Sequence, residues 1–325
     1  MMTTKKDKEN SAFDAYSALK KVCTECTEST LKNYVRSIKR LAKLAGHDEI
    51  PGTKGWLFGK PGKALINKVK KLPLTKARHL FLGGSQAARI YGNAERSAMW
   101  SIAMNESSNA YRTHRNRQTS SETEKRNWPD QGYKVLGKAA SMQKRKITEL
   151  LKKSDHTIAQ LFEIQKAIIL LIYSHHAFRT EPSSWFLKAD DKKNTLLRPR
   201  GSRKFVVTNR VHKTQKSMGV LKIVLDSSVS KALAKYLPLR KKLIKHDYFL
   251  FNRSGDKLTS PALSKLLLRT TSALIGKKIG VRMTRILKAT QHAGLIEKAD
   301  RLRTEMGHSA KMSLSYIRKD AKKAK

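Results

Sequence analysis

The chain has 325 residues, and its 69 Lys and Arg outnumber its 25 Asp and Glu so strongly that the formal net charge is +44. Charge of that size repels itself in a compact fold, so the composition favours a polyanionic partner, above all nucleic acid, over a merely soluble protein. The basic residues are spread through the whole chain and no segment approaches the roughly 20 apolar residues of a membrane span, which argues against a membrane partner.

The first half of the chain predicts helices joined by basic loops. Residues 1–10 are polar and lack the apolar core of a secretory signal, so we expect them to be disordered and the protein to be intracellular. We assign residues 11–125 to a first, helical domain. Its clearest helix covers residues 30–45, where apolar residues recur at helical spacing and Gly46 follows. The opposite face could follow DNA phosphates or be only solvated, and it carries Lys32, Arg36, Lys39, Arg40 and Lys43.

The two cysteines, Cys23 and Cys26, form a single CxxC pair. A structural zinc site needs four ligands, and the nearest histidine, His47, has no partner close to it in the sequence. We therefore expect two ordinary reduced thiols and no metal or other cofactor.

The middle of the chain predicts a connection between two domains. Residues 112–130 are polar, rich in Arg and Ser, and include Pro129 near their end, which suits a linker between domains that clamp a duplex. We assign residues 126–150 to this linker and its connecting helix, and residues 151–325 to the second domain.

The second domain predicts a mixture of helices and a hairpin. Residues 157–175 are an apolar-rich helix, whereas residues 204–211 and 220–225 are rich in Val and Ile and predict two strands joined by a loop at 212–219. Later, Ser260 and Pro261 predict a helix cap followed by proline at the first helical position, and residues 284–293 predict a short helix that Gly294 ends. The chain is thus expected to be mainly α with a small β-hairpin or sheet.

Four motifs in this second half carry side chains that could perform chemistry. HHAFRT, VHKTQKSMG, VRMTRILKAT and MGHSAKMSLSY supply, in chain order, Arg179, Lys213 with Lys216, Arg282 with Arg285, and His308 with Tyr316. Taken singly, each has an ordinary explanation, because a lone arginine is usually a surface charge and Gly-His-Ser is usually a helix cap. Taken in this order, they resemble the tyrosine recombinases, or phage-integrase family, in residues 155–320.

The resemblance implies a helical core-binding domain, an α+β catalytic domain and metal-independent strand transfer on double-stranded DNA, with self-association on DNA. By that resemblance Tyr316 is the nucleophile that forms a 3′-phosphotyrosine, as covalent catalysis requires. Arg179 and Arg285 would bind the phosphate bidentately, with His308 as a third donor. Lys213, or Lys216 in its place, would be the general acid, and Arg282 a further donor.

Some residues depart from the family pattern and leave alternatives open. Arg282 stands where the family has histidine, Pro182 stands three positions after Arg179 where an acid is usual, and Glu181 comes one step early. The long stretch from Arg179 to Lys213 implies an insertion. These departures fit a divergent viral or mobile-element member, and a type IB topoisomerase and a non-catalytic DNA-binding protein of the same fold remain the alternatives. A metal-dependent nuclease is disfavoured, since the sequence has no acidic cluster that could hold two metals.

Overall fold

The computed structural model describes residues 13–92, 94–151 and 155–306, and the chain divides into two compact units, Met1–Ser120 and Ser121–Lys325. Both units are mainly helical, and the second also contains a three-stranded antiparallel sheet. The predicted fold class, mainly α with a small sheet, is therefore confirmed. Residues 1–10, His308 and Tyr316 lie outside the described residues. None of the described helices combines the length and the apolarity that crossing a bilayer requires.

The described residues of the first unit form five α-helices and one short 3-10 helix, Gly55–Leu57. The α-helices are α1 Ala15–Val22, α2 Glu28–Leu44, α3 Gly59–Lys70, α4 Leu74–Ile90 and α5 Ala94–Asn116. The predicted helix at 30–45 is confirmed as α2, which begins two residues earlier because the Thr27 side chain caps it by accepting the N–H of Thr30 at 3.3 Å. Gly46, with φ of 94°, ends it.

Helix α4 lies at the centre of this unit, and its glycines allow neighbouring groups to approach closely. A Cβ added to Gly84 would lie 2.0 Å from Cε3 of Trp100, a distance at which the ring would have to move. Trp100 is fully buried, and its indole N–H donates to the Leu57 carbonyl at 2.9 Å. The absence of a side chain at Gly84 therefore makes room for the fully buried ring of Trp100.

The two cysteines differ from expectation, because Cys23 and Cys26 are joined in a disulfide. The chain turns directly after α1, and the N–H of Cys26 donates to the carbonyl of Cys23 at 3.1 Å. This turn brings the two Cα atoms to 5.4 Å, within the range that a disulfide spans. The expectation of two reduced thiols was wrong because the sequence did not reveal this turn.

The described residues of the second unit form eight α-helices and the small sheet. The helices are α6 Glu122–Asn127, α7 Val135–Leu151, α8 Ile158–His175, α9 Gln215–Met218, α10 Ser227–Leu243, α11 Ser260–Ile275, α12 Val281–Gln291 and α13 Ala293–Glu305. The strands are β1 Thr195–Leu197, β2 Val206–Asn209 and β3 Leu221–Val224, in the order β1-β2-β3.

Helix α8 is the central element of this unit and matches the helix predicted at 157–175. Thr157 and Gln160 form a capping box at its start. Its residues are buried on most sides, and α7, α10 and α11 pack against it. Gln165, fully buried, satisfies its amide by donating to the Phe251 carbonyl at 2.8 Å and accepting the Phe251 N–H at 3.0 Å. A polar side chain in a buried helix needs hydrogen-bond partners, and the Phe251 backbone supplies them to Gln165.

The predicted hairpin is confirmed as β2 and β3, which pair from Val206 opposite Val224 to Asn209 opposite Leu221. Strand β1 was not predicted, because three residues are too short for a period of two to be recognised. It pairs with β2, and Leu196 and Val207 lie opposite each other, both buried.

Several predicted boundaries also differ. Helix α5 extends to Asn116 and α6 covers Glu122–Asn127, so most of the polar segment 112–130 is helical. Residues 126–150, assigned to the linker and its connecting helix, include most of α7, which packs on α8 and contributes Leu136 and Ala139 to the core of the second unit.

Two helix ends in the second unit were misjudged. Thr259, not Ser260, caps α11, and its hydroxyl accepts the N–H of Ala262 at 3.4 Å. Gly294 does not end a helix, because α12 ends at Gln291 and Gly294 belongs to the first turn of α13. No described residue of α13 is buried.

Candidate functional site

Arg179 follows α8, and hydrogen bonds from two buried tyrosines hold its backbone in place. The hydroxyl of Tyr173 donates to the carbonyl of Arg179, and the hydroxyl of Tyr133 donates to the carbonyl of Tyr173 at 2.6 Å. Burial raises the pKa of both phenols, so both remain protonated donors. Phe178 adds packing, with its ring centroid 5.1 Å from that of Trp185 in an edge-to-face arrangement. The backbone at Arg179 is thus held by the core.

Arg285 lies close enough to Arg179 for their charges to interact. The pKa of Arg285 is lowered, first by partial burial of its guanidinium and second by repulsion from Arg179, while attraction to Glu181 opposes the shift. Both arginines remain charged, because an arginine does not deprotonate in proteins. The two cations, from distant parts of the sequence, therefore lie within electrostatic range of each other in the fold.

Glu181 belongs to the same cluster. It begins a 3-10 turn, Glu181–Ser184, which follows Arg179 after one intervening residue, Thr180. Its Oε2 is buried without a hydrogen-bond partner among the described residues. The sequence had suggested that an acid one position early departs from a working pattern. In the structure this carboxylate lies within electrostatic range of Arg285.

The helix that carries Arg285 is fixed where it begins. Thr271 of α11 is fully buried, and its hydroxyl accepts the N–H of Ile279 at 3.0 Å and donates to the carbonyl of Ile279 at 3.1 Å. The hydroxyls of Ser183 and Ser260 bond at 2.8 Å, joining the turn after Arg179 to the start of α11. Helix α11 therefore supports both halves of the arginine pair.

Lys213 lies in the connection between β2 and β3, and a buried asparagine holds the base of this connection. The side-chain amide of Asn194 donates to the Val211 carbonyl at 2.8 Å and to the Ser184 hydroxyl at 2.9 Å. Its carbonyl oxygen accepts the N–H groups of Arg210 at 2.7 Å and Val211 at 2.8 Å. Sequence reasoning missed Asn194, since an isolated asparagine before a strand has no distinctive signal.

The tip of the same connection is braced by His212. One ring nitrogen lies 3.2 Å from the Thr214 hydroxyl, and the other lies 2.8 Å from the Gly219 carbonyl. Lys213 and Lys216 are both exposed, and Lys216 is part of α9. No described contact joins either lysine to Arg179 or Arg285. The structure therefore presents both lysines to solvent on an internally bonded loop.

Arg282 has a different partner from Arg285. Its side chain is 80% exposed and bonds to the carboxylate of Glu124 at 2.9 Å. Hydrogen bonding from the Ser121 N–H, more than attraction to Arg282, lowers the pKa of Glu124. The side-chain Oδ1 of Asn127 accepts the N–H of Lys278 at 2.9 Å, so α6 lies against the segment that leads into α12.

Lys288 is a further cation that the sequence analysis overlooked. It stands three residues after Arg285 on α12, and its ammonium lies 4.6 Å from the ring centroid of Tyr133. Burial, followed by repulsion from His175 and less strongly from Lys288, lowers the pKa of His176. The Nε2 of His176 accepts the N–H of Asp226 at 3.2 Å. The spacing Arg-Ile-Leu-Lys is the sequence signal that could have identified Lys288.

The basic face of α2 is exposed as its periodicity implies. Lys32 forms an ion pair with Glu28 at 2.5 Å, and the Nη1 of Arg36 donates to the side-chain Oδ1 of Asn33 at 3.4 Å. The side chains that remain exposed along this face are Lys32, Arg36, Lys39, Arg40 and Lys43. Within residues 13–92, 94–151 and 155–306, no three His, Cys, Asp or Glu side chains come together as metal ligands do.

Comparisons with known proteins add little to this geometry. No family model matches the sequence, and no curated protein is similar to it. Among solved structures, the crystal structure of XerA recombinase aligns over 95% of each chain, with 13% sequence identity and a TM-score of 0.34. A TM-score this low does not support a functional assignment, which therefore depends on the residues of this chain.

Proposed function

We propose that this protein is a metal-independent DNA strand transferase of the tyrosine recombinase kind. One observation carries the proposal: Arg179 and Arg285, from distant parts of the sequence, lie within electrostatic reach of each other beside Glu181. Two like charges repel, so a compact fold that brings them together favours an anion between them. In a chain of net charge +44, that anion is most simply a DNA phosphate.

The chemistry follows from what a phosphodiester needs at its transition state. Charge develops on the two non-bridging oxygens, and a guanidinium meets such oxygens through two parallel N–H donors. Removing a preorganised donor of this kind typically slows a reaction by about 10²- to 10³-fold. The tyrosine chain below Arg179 and the Thr271 anchor before α12 provide that preorganisation.

Glu181 would keep the arginine pair oriented. A carboxylate beside two guanidinium groups offsets their repulsion when no DNA is bound. Its buried Oε2 has no hydrogen-bond partner among the described residues and is available to an arginine N–H. Glu181 then takes the part of the acid that is absent at Pro182.

The remaining roles complete a balanced reaction. The hydroxyl of Tyr316 gives its proton to water, attacks phosphorus and forms a 3′-phosphotyrosine, while the bond from phosphorus to the 5′-oxygen breaks. Lys213, or Lys216 in its place, gives a proton to that leaving oxygen. His308 and Arg282 would donate further hydrogen bonds to the phosphate. Attack by a 5′-hydroxyl on the phosphotyrosine reverses the steps, frees Tyr316 and rejoins a strand.

Double-stranded DNA is the proposed partner of both units. The exposed basic face of α2 would bind phosphates without reading sequence, since lysine and arginine contacts to phosphate carry no base information. We also expect copies of the protein to associate on DNA, because strand exchange requires two DNA sites to meet.

Covalent trapping tests this proposal. The full-length protein is incubated, without added metal, with labelled nicked duplexes taken from the ends of a candidate mobile DNA element. Denaturing gels then report any protein–DNA adduct. We expect an adduct with the wild type, none with Tyr316→Phe despite retained binding, and a rate about 10²- to 10³-fold lower with Arg285→Ala. Arg269→Ala, which removes an exposed arginine from α11, is the matched control and should react normally.

Each other outcome has a definite meaning. An adduct in Tyr316→Phe would show that another nucleophile acts. Binding without any adduct would overturn the catalytic proposal in favour of a non-catalytic DNA-binding protein. Relaxation of supercoiled DNA without a specific site would favour a type IB topoisomerase over a recombinase.

A further inference from the structure

The turn between β1 and β2 is a compact basic element with a fixed backbone. The N–H of Ser202 donates to the carbonyl of Pro199 at 3.0 Å, and the N–H of Lys204 donates to the Ser202 hydroxyl at 3.0 Å. Gly201 has φ of 75°, a conformation that glycine adopts without strain. Residues 198–204, which we name the basic turn, are therefore held by their own hydrogen bonds.

The basic turn carries four cations and no acid. The exposed side chains are Arg198, Arg200, Arg203 and Lys204. None of them forms an ion pair with a carboxylate in the part of the chain that the structure describes, although other surface lysines do, such as Lys193 with Asp190 at 3.0 Å. Arg198 has its guanidinium carbon 5.9 Å from the ring centroid of Phe205, so this side chain also packs on the sheet.

The position of the basic turn in the sheet separates it from the loop that carries Lys213. The basic turn precedes β2 and the Lys213 loop follows it, so the two lie at opposite ends of the strand. Val206 to Asn209 spans about 10 Å at roughly 3.3 Å per residue. That length equals the rise of about three base pairs of duplex DNA at 3.4 Å each. One duplex can therefore contact both ends of the sheet through different phosphates.

We propose that the basic turn is a phosphate-binding element for the backbone of duplex DNA, outside the phosphate that reacts. The inference rests on the proposed function, because it takes DNA as the ligand. Arginine side chains at fixed spacing suit phosphate oxygens, which they meet bidentately. Unpaired cations concentrated on one short turn repel one another until an anion neutralises them, so the turn is stabilised when DNA binds.

The test is the salt dependence of DNA affinity in the full-length protein. Arg200→Ala/Arg203→Ala removes two cations from the tip of the turn and spares Arg198. Lys241→Ala/Lys242→Ala removes the same charge from the exposed end of α10 in the same unit and is the matched control. Each phosphate contact contributes about one to the slope of log affinity against log salt concentration. We expect the slope to become shallower by about two in the turn variant and to change little in the control.

A conservative variant separates charge from folding. Arg200→Lys/Arg203→Lys keeps both charges and should retain most of the slope, and thermal unfolding should show that every variant is folded. An unchanged slope in the turn variant, or an equal change in the control, would overturn the inference.

The two proposals fail separately. Wild-type adduct together with an unchanged slope would refute only the basic turn. A shallower slope in the turn variant without any wild-type adduct would refute strand transfer and leave the basic turn as a DNA contact.

Discussion

Asn194 holds the base of the loop that carries Lys213, so Asn194→Ala should impair strand cleavage more than DNA binding. The side chain makes four hydrogen bonds, to Val211 twice, to Arg210 and to Ser184, at 2.7 to 2.9 Å. Alanine removes all four and leaves the backbone groups at the start of the loop without these partners.

The magnitude follows from the net value of such bonds and from their surroundings. A protein hydrogen bond contributes about 1 kcal/mol net, and a buried group left unpaired costs about 1–3 kcal/mol. Asn194 is buried, but Val211 is 60% exposed, so water can replace part of what is lost. We expect the free energy of unfolding to fall by about 2–3 kcal/mol. Because a displacement of about 1 Å in a catalytic group can cost 10²-fold, adduct formation should slow by about 10²-fold.

The assay compares strand cleavage of two duplexes, one with the normal 5′-oxygen at the scissile phosphate and one with sulfur in its place. A thiolate leaves without needing a proton, so a duplex with sulfur in place of the 5′-oxygen should restore cleavage by Asn194→Ala but not by Arg285→Ala. Asn252→Ala is the control, because Asn252 closes a different turn by accepting the N–H groups of Ser254 and Asp256. Normal cleavage by Asn194→Ala, or a failure of sulfur to restore it, would refute the view that Asn194 positions a general acid.

Two further predictions concern stability. Gly84→Ala should lower the free energy of unfolding by about 1–3 kcal/mol, because Trp100 occupies the space that a methyl group needs. Gly137→Ala is the control and should be neutral or stabilising, because no atom lies within 4 Å of the added Cβ. Equal losses of stability for the two variants in denaturant unfolding would contradict this reasoning. Folding lowers the pKa of His176 from its ordinary value of 6.5. As the pH falls below 6.5, this histidine is protonated in the unfolded chain before it is protonated in the folded one, so the free energy of unfolding should fall. His176→Gln should reduce that loss between about pH 7 and about pH 5; an unchanged loss would assign it to other groups.

The candidate site was only partly predictable. Arg179 and Arg285 were identified from the order of motifs, and the fold brings their charges together. Glu181 was noted but taken as a departure, because the sequence spacing does not show that its carboxylate lies within electrostatic range of Arg285. Asn194 and Lys288 were missed, since their partners are remote in the sequence.

The elements of the fold, like the candidate site, were only partly predictable from the sequence. Strong local periodicity determined α2, α8 and the β2–β3 hairpin, because burial of one apolar face is decided within a few turns of chain. The net charge of +44 likewise favours a polyanionic partner. The tertiary structure alone decided the Cys23–Cys26 disulfide, the pairing of the short β1 and the absorption of α7 into a core. These features depend on contacts between segments that propensity cannot detect, because the favourable free energy arises only when those segments meet.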